Sequence, residues 1–183
     1  SKFRSKDYIN HFTIGLEGTD SADQVVSIDD REKTEMILDF YEPITSLDQW
    51  QKAFSSNQID RYGNYRLKAD RFDFGNLSSS DLKKGYRITG SGKLAFYGSI
   101  DGGWTDEQGE RHTVTLEHLD LSEAPFMIEE LQGSLSNIRI RDMRIDENEN
   151  PAVGSALRGF VGIVNGGQLD HIFVEDSQIH GYY

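Results

Sequence analysis

The sequence predicts a mainly β protein: a right-handed parallel β-solenoid of about three to four coils, preceded by a short β-strand region and one α-helix. Three observations carry that prediction. Apolar residues fall in short period-two bursts rather than at helical spacing. The 18 glycines against 3 prolines place tight turns between short extended segments. The second half of the chain repeats its own apolar pattern at fixed offsets.

The elements follow in chain order. In residues 1–43, an N-terminal β-strand segment, the bursts are Tyr8, Phe12 and Ile14, then Val25, Val26 and Ile28, then Met36, Leu38 and Phe40. Turns holding Gly15, Gly18, Asp29 and Asp30 separate them, which predicts a small antiparallel sheet. Residues 44–183 form the solenoid with its leading helix. Thr45 or Ser46 can cap that helix, Asp48 enriches its first turn, and Leu47, Trp50, Ala53 and Phe54 share one face. It ends near Ser55–Asn57. Residues 64–74 read as extended, and Asn76–Gly85 as a polar loop.

From Tyr86 the pattern repeats. Residues 124–145 overlie 158–179 with no gap, an offset of 34 that sets Phe126 on Phe160, Gly133 on Gly167, Leu135 on Leu169, Ile138 on Ile172, Ile140 on Val174 and Ile145 on Ile179. Val114, Leu116, Leu119 and Leu121 answer Ile138, Ile140, Met143 and Ile145 at an offset of 24. The intervals are two, three, two. A two-residue step keeps both side chains on one face of a strand, and the three-residue step demands a bend before the inward alternation resumes. Strand, corner and strand, stacked about 4.8 Å apart, describe a coil of a parallel solenoid. A helix-pair repeat fits the length but not segments such as 138–145, which alternate with period two.

Composition narrows the function. The chain has 183 residues, 36% hydrophobic and 11% aromatic, enough for a buried core in one domain. With 31 acidic and 19 basic residues its formal charge is −12, which argues against nucleic acid as a partner. Cysteine is absent, so disulfides, thiolate metal sites and a cysteine nucleophile are excluded. No window reaches the roughly 18 apolar residues of a membrane span. Acids and bases nearly balance to Gly92 (15 against 13), whereas from Lys93 there are 16 acids and 6 bases. That step predicts a change of architecture near residue 90. The opening Ser1-Lys2-Phe3 reads as a piece cut from a longer protein, with any targeting signal outside it.

Residues 44–74, with the helix followed by a Tyr65-x-Leu67-x-x-Asp70 pattern, together with 95–102 and 158–181, resemble bacterial surface proteins carrying the GLUG motif. Gly159, Phe160, Val161, Gly162, Gly166 and Gly167 lie in register with that motif. The order of segments is also similar to the non-catalytic N-terminal region of Gram-positive zinc metalloproteinases related to immunoglobulin A1 proteases. Arg71-Phe72-Asp73-Phe74 and the acidic insertion at 106–110 depart from the pattern. The resemblance implies a secreted or cell-wall-attached module that serves spacing or engages a host or surface protein, such as an immunoglobulin or glycoprotein. The alternative is an adhesin or glycan-binding solenoid with no protease domain.

No catalytic, cofactor-binding or metal residue is assigned. None of His11, His112, His118, His171 and His180 precedes a glutamate, so the HExxH zinc signature is missing and zinc is expected only in a parent protein. Gly90-Ser91-Gly92-Lys93 lacks the first Walker glycine, with Arg87 at that position, and Leu94 stands where Ser or Thr is needed. Asp146–Asn150 starts like a calcium loop, but Pro151 and Leu157 occupy the glycine and glutamate positions. A lyase of this shape would draw on Asp142, Asp146 and Asp176 with Arg139, Arg141 and Arg144, although alternation alone puts these residues outward. Tyr97, Trp104, Tyr182 and Tyr183 suit either a partner or an end cover. An open last coil would favour self-association.

Overall fold

The computed structural model describes residues 17–19, 25–27, 41–54, 59–89, 95–124, 126–146 and 159–180. Among the described residues the fold is mainly β with two helices, and all strand pairs but two are parallel. β1 (Glu17–Thr19) and β2 (Val25–Ser27) pair antiparallel, and β2 falls on the expected burst at 25–28. β1 falls where a turn was expected. The bursts at 8–14 and 36–40 lie outside the described residues.

The main stack is one parallel ladder. In its first half β3 (Glu42–Ile44), β4 (Asn64–Leu67), β7 (Ser99–Asp101), β11 (Ser134–Arg141) and β14 (Gln168–Glu175) lie in that order. Beside them β5 (Arg71–Asp73), β9 (Arg111–Glu117) and the second halves of β11 and β14 continue the same sheet. A second parallel sheet stacks β6 (Ala95–Phe96), β10 (Ile128–Leu131) and β13 (Val161–Val164). A third pairs β12 (Arg144–Asp146) with β15 (Gln178–His180), and an Asp120–Arg144 bridge extends it.

The registers match the repeat read from sequence. Ile138 pairs with Ile172, Ile140 with Val174 and Ile145 with Ile179, while Val114 and Leu116 pair with Ile138 and Ile140. The corner demanded by the three-residue step is His118, Asp142 and Asp176 on successive rungs, all at positive φ. Histidine and aspartate are among the few side chains that tolerate this region. The offset falls from 35 at Ile100–Leu135 to 24 at Val114–Ile138 because a hairpin is inserted there. Its strands are β8 (Gly103–Thr105) and the start of β9, with the acidic segment 106–110 as the turn.

Inward side chains of the ladder form the core: Tyr65, Ile100 and Leu135 on one column, Phe72, Leu116 and Ile140 on the next, each no more than 2% exposed. Burial of such side chains stabilises by roughly 1.5–3 kcal/mol each. At another corner Gly63, Gly98, Gly133 and Gly167 stack, because a Cβ on Gly98 or Gly133 would collide with the carbonyl oxygen of the glycine one rung below. Those carbonyls accept from the N–H of Ser99, Ser134 and Gln168 at 3.1, 2.9 and 2.9 Å. The close approach is what lets the chain turn there.

α1 (Leu47–Phe54) is the expected helix, with Ser46 Oγ accepting from the Gln49 N–H at 3.2 Å. Trp50 and Phe54 are fully buried against the aromatics of the first rung, Tyr65, Phe72 and Phe74. Trp50 Nε1 donates to the Tyr86 carbonyl at 2.8 Å. Two expectations are corrected. A second helix, α2 (Ser79–Gly85), replaces most of the polar loop. Ser78 caps it and Asp81 returns the bond, a reciprocal pair that starts a helix whose single strong anchor is Leu82. Nor does the charge step near residue 90 break the architecture, since β4 and β5 share one sheet with β7 and β9.

Candidate functional site

The hairpin insertion and the neighbouring corner bring two histidines between pairs of carboxylates. In the turn, Asp106 Oδ1 accepts from the N–H groups of Gln108 and Glu110, both at 2.9 Å, which fixes the side chain. Its Oδ2 lies 2.8 Å from His112 Nε2, and Asp70 Oδ1 lies 3.1 Å from His112 Nδ1. The Trp104 ring stacks on the imidazole at 4.2 Å and 15°. Trp104 Nε1 donates to the Ala69 carbonyl at 3.2 Å, which ties the hairpin to the rung below. The hydrogen bond with Asp106, aided by the charge of Asp70, holds the His112 imidazolium above its ordinary range, and the same bond holds Asp106 below its own.

The second cluster stands at the positive-φ corner. His118 Nδ1 is 2.7 Å from Asp73 Oδ1, and its Nε2 is 3.5 Å from Asp142 Oδ2. Asp73 also accepts from the Gly75 N–H at 2.9 Å. The Asp73 bond raises His118, and in return His118 lowers Asp73. The two histidines do not share a face, because β9 ends at Glu117 and the chain bends at His118.

Asp73, Glu117 and His118 form one group of potential ligand atoms within 4.8 Å of each other, and Asp106, Glu110 and His112 form another. Each imidazole has a carboxylate at both nitrogens, so the rings are placed to bridge two acids as imidazolium. A metal needs the neutral ring and would have to displace that proton.

The residues considered for lyase chemistry are dispersed. Asp142 and Asp176 occupy the same corner on successive rungs, whereas Asp146 sits beyond it in β12. Arg139 faces Glu175 at 3.6 Å, Arg141 faces Glu117 and Asp176 at 3.9 and 3.8 Å, and Arg144 faces Asp120 and Asp146 at 3.6 and 3.2 Å. Among the described carboxyls whose ionisation is displaced, Asp73, Asp81, Asp106 and Glu130, every one is pushed down. A general acid at neutral pH needs the opposite displacement.

No family model, curated protein or solved structure matches this chain.

Of the aromatics singled out in sequence, Trp104 is committed to His112, and Tyr97 stacks on Tyr62 at 4.8 Å and 8° with both rings partly exposed. Tyr182, Tyr183, His11, residues 90–94 and 147–151, and Leu157 lie outside the described residues. His171 sits at positive φ beside Asp170 at 2.7 Å, and His180 is 4.0 Å from Asp146. Sequence reasoning missed Asp70, Asp106 and Tyr62. Reading 103–113 as a hairpin would have set Asp106 near His112. Tyr62 carried no such signal, because its partner Tyr97 comes from the next rung.

Proposed function

We propose that the chain is a right-handed parallel β-solenoid of three to four coils, acting as a non-catalytic module of a secreted or cell-surface bacterial protein. Its roles are spacing and engagement of a host or surface protein, in a parent of the zinc metalloproteinase type implied by the GLUG-like segments. One observation carries the solenoid reading: the same strand–corner–strand unit recurs in register on successive rungs of three parallel sheets. Three rungs touch all three sheets, and β3, β4 and β5 add incomplete turns before them. Handedness follows from the strong preference of parallel crossovers in twisted sheets. The non-catalytic role is supported by outward acids and bases that neutralise one another across rungs.

Incubation of the purified chain with immunoglobulin A1, with and without added zinc, tests the proposal. Saturable binding to immunoglobulin or a surface glycoprotein, with no cleavage and no stoichiometric zinc, is expected. Cleavage, or one tightly held zinc per chain, overturns it. A second reading, a glycan-binding adhesin solenoid, is favoured by the stacked Tyr62–Tyr97 pair, two partly exposed aromatic rings of the kind that sugar rings pack against. Retention on a glycan array, lost in Tyr97→Ala, would select it.

A further inference from the structure

Asn165-Gly166 is the single Asn–Gly pair in the chain, and it forms the corner between β13 and β14. The side-chain amide of an asparagine can be attacked by the backbone nitrogen of the residue that follows it. Success depends on the freedom of that N–H, the bulk at the following Cα and access of water. At this corner all three favour attack. Both residues are exposed. Among the described residues the Gly166 N–H meets no acceptor, whereas the Asn165 and Gln168 N–H groups beside it donate to the Leu131 and Gly133 carbonyls, both at 2.9 Å. Gly166 lies at φ +72° with no Cβ, and beyond its chain neighbours no described atom comes within 4 Å of where a Cβ would stand.

The related Asp101-Gly102 pair is closed to the same attack. Gly102 is buried and its N–H donates to the Ser136 carbonyl at 2.8 Å. Asp101 Oδ1 is held by the Gly103 N–H and Asn137 Nδ2 at 2.8 and 2.9 Å. The other asparagines in the described segments, Asn64, Asn76 and Asn137, precede Tyr65, Leu77 and Ile138, whose side chains crowd the attacking nitrogen.

We propose that Asn165 is a site of spontaneous deamidation, converting to aspartate and isoaspartate through a succinimide closed on the Gly166 nitrogen. Hydroxide removes the Gly166 N–H proton, and that nitrogen forms a bond to Asn165 Cγ. The Cγ–Nδ2 bond breaks, and Nδ2 takes a proton from water and leaves as ammonia. A second water opens the ring at either carbonyl, giving aspartate or isoaspartate. The net change is water consumed, ammonia released and one negative charge gained, with nothing oxidised or reduced.

The conversion alters a contact between rungs. Asn165 Nδ2 donates to Glu130 Oε1 at 2.7 Å. Afterwards an acceptor-only carboxylate faces Glu130, so a hydrogen bond becomes a like-charge contact. Isoaspartate also lengthens the main chain by one carbon at a tight corner, where a Cβ on Gly167 would already lie 2.6 Å from the Leu131 carbonyl oxygen. Modification therefore loosens β13 and β14 from β10 and β11, while β9 keeps its pairing with β5. The inference rests on these local contacts, and not on any partner or parent protein.

The purified chain, aged warm at neutral and at mildly alkaline pH, is followed by ion-exchange chromatography and peptide mapping. A variant more acidic by one charge should accumulate, faster in alkali, with aspartate and isoaspartate at position 165. Exposed turns open with free energies near zero, so the rate should lie within about ten-fold of that of a peptide spanning residues 161–170. Asn165→Gln, which would have to close a larger ring, and Gly166→Ala, which sets a methyl group beside the nitrogen, should each lose this variant. Amide protection in the aged chain should fall in β13 and β14 and hold in β5 and β9. An intact Asn165 in the folded chain after the peptide has fully converted overturns the proposal. So does the same acidic variant persisting in Asn165→Gln, and unchanged protection in chain modified at Asn165 overturns the loosening.

Discussion

Truncation of Ile140 to alanine tests the inward phase of the ladder in a way that yields a magnitude. Ile140 lies in register between Leu116 and Val174 and is 1% exposed, so the change leaves a cavity with packed neighbours above and below. Such substitutions cost about 2–5 kcal/mol. Val174→Ala, one rung higher in the same column, removes a side chain that is 56% exposed and should cost less than about 1 kcal/mol. Arg141→Ala, adjacent in sequence but outward, loses only two long ion pairs at 3.8 and 3.9 Å, worth less than about 1 kcal/mol. Urea unfolding followed by circular dichroism reads these differences. With a slope of about 1–3 kcal/mol/M, Ile140→Ala should lower the midpoint by roughly 1–2 M, and the other two by a few tenths. Equal losses at Ile140 and Arg141 would refute the assigned phase, and a Val174 loss matching Ile140 would contradict the exposure of Val174.

Other predictions concern corners and charge. Gly133→Ala places a Cβ against the Gly98 carbonyl and the Tyr97 backbone, which cannot swing away, and should cost about 1–3 kcal/mol or more in thermal melts. Gly109→Ala, at positive φ but in open space, should cost only about 1–2 kcal/mol. Trp50→Ala should cost about 3–5 kcal/mol, since it empties the closed end and strands the Tyr86 carbonyl. The His112 bridge gives a pH window. A raised folded pKa stabilises fully below the unfolded value of about 6.5 and is lost as pH rises through the folded value, whereas the depressed Asp106 stabilises above about 3.9 and is lost as pH falls through its folded value. Amide protection factors in β8 and β9, measured against the intrinsic exchange rate at each pH, should therefore be highest between those limits and fall in alkali. His112→Gln should remove that fall, and an imidazole signal titrating below about 6.5 would contradict the bridge.

Much of the fold was legible because the side-chain period of a strand is two and the corner adds one residue. The spacing of Ile138, Ile140, Met143 and Ile145 therefore encoded both face and bend. α1 was legible from its cap and apolar stripe. α2 was not, because Leu82 alone anchors it and its start depends on a local Ser78–Asp81 exchange of hydrogen bonds. The glycine column was half legible: Gly133 over Gly167 fell within the repeat, but Gly63 and Gly98 lie outside the aligned segments. Neither histidine bridge could be read whole, although a hairpin reading of 103–113 would have brought Asp106 to His112. Asp70 and Asp73 reach His112 and His118 from the preceding rung, and no local pattern reports a contact made across rungs.

Stacking at an offset of 34 is tested most directly by cross-linking, which the absence of native cysteine makes clean. Ser136 and Asp170 are register partners on β11 and β14, about 4.8 Å apart as strands, within disulfide reach. Mild oxidation of Ser136→Cys/Asp170→Cys should give a single intramolecular disulfide in high yield, while Ser136→Cys/Phe173→Cys, three residues out of register, should remain reduced. The opposite preference, or no cross-link in either, would contradict the stacked ladder.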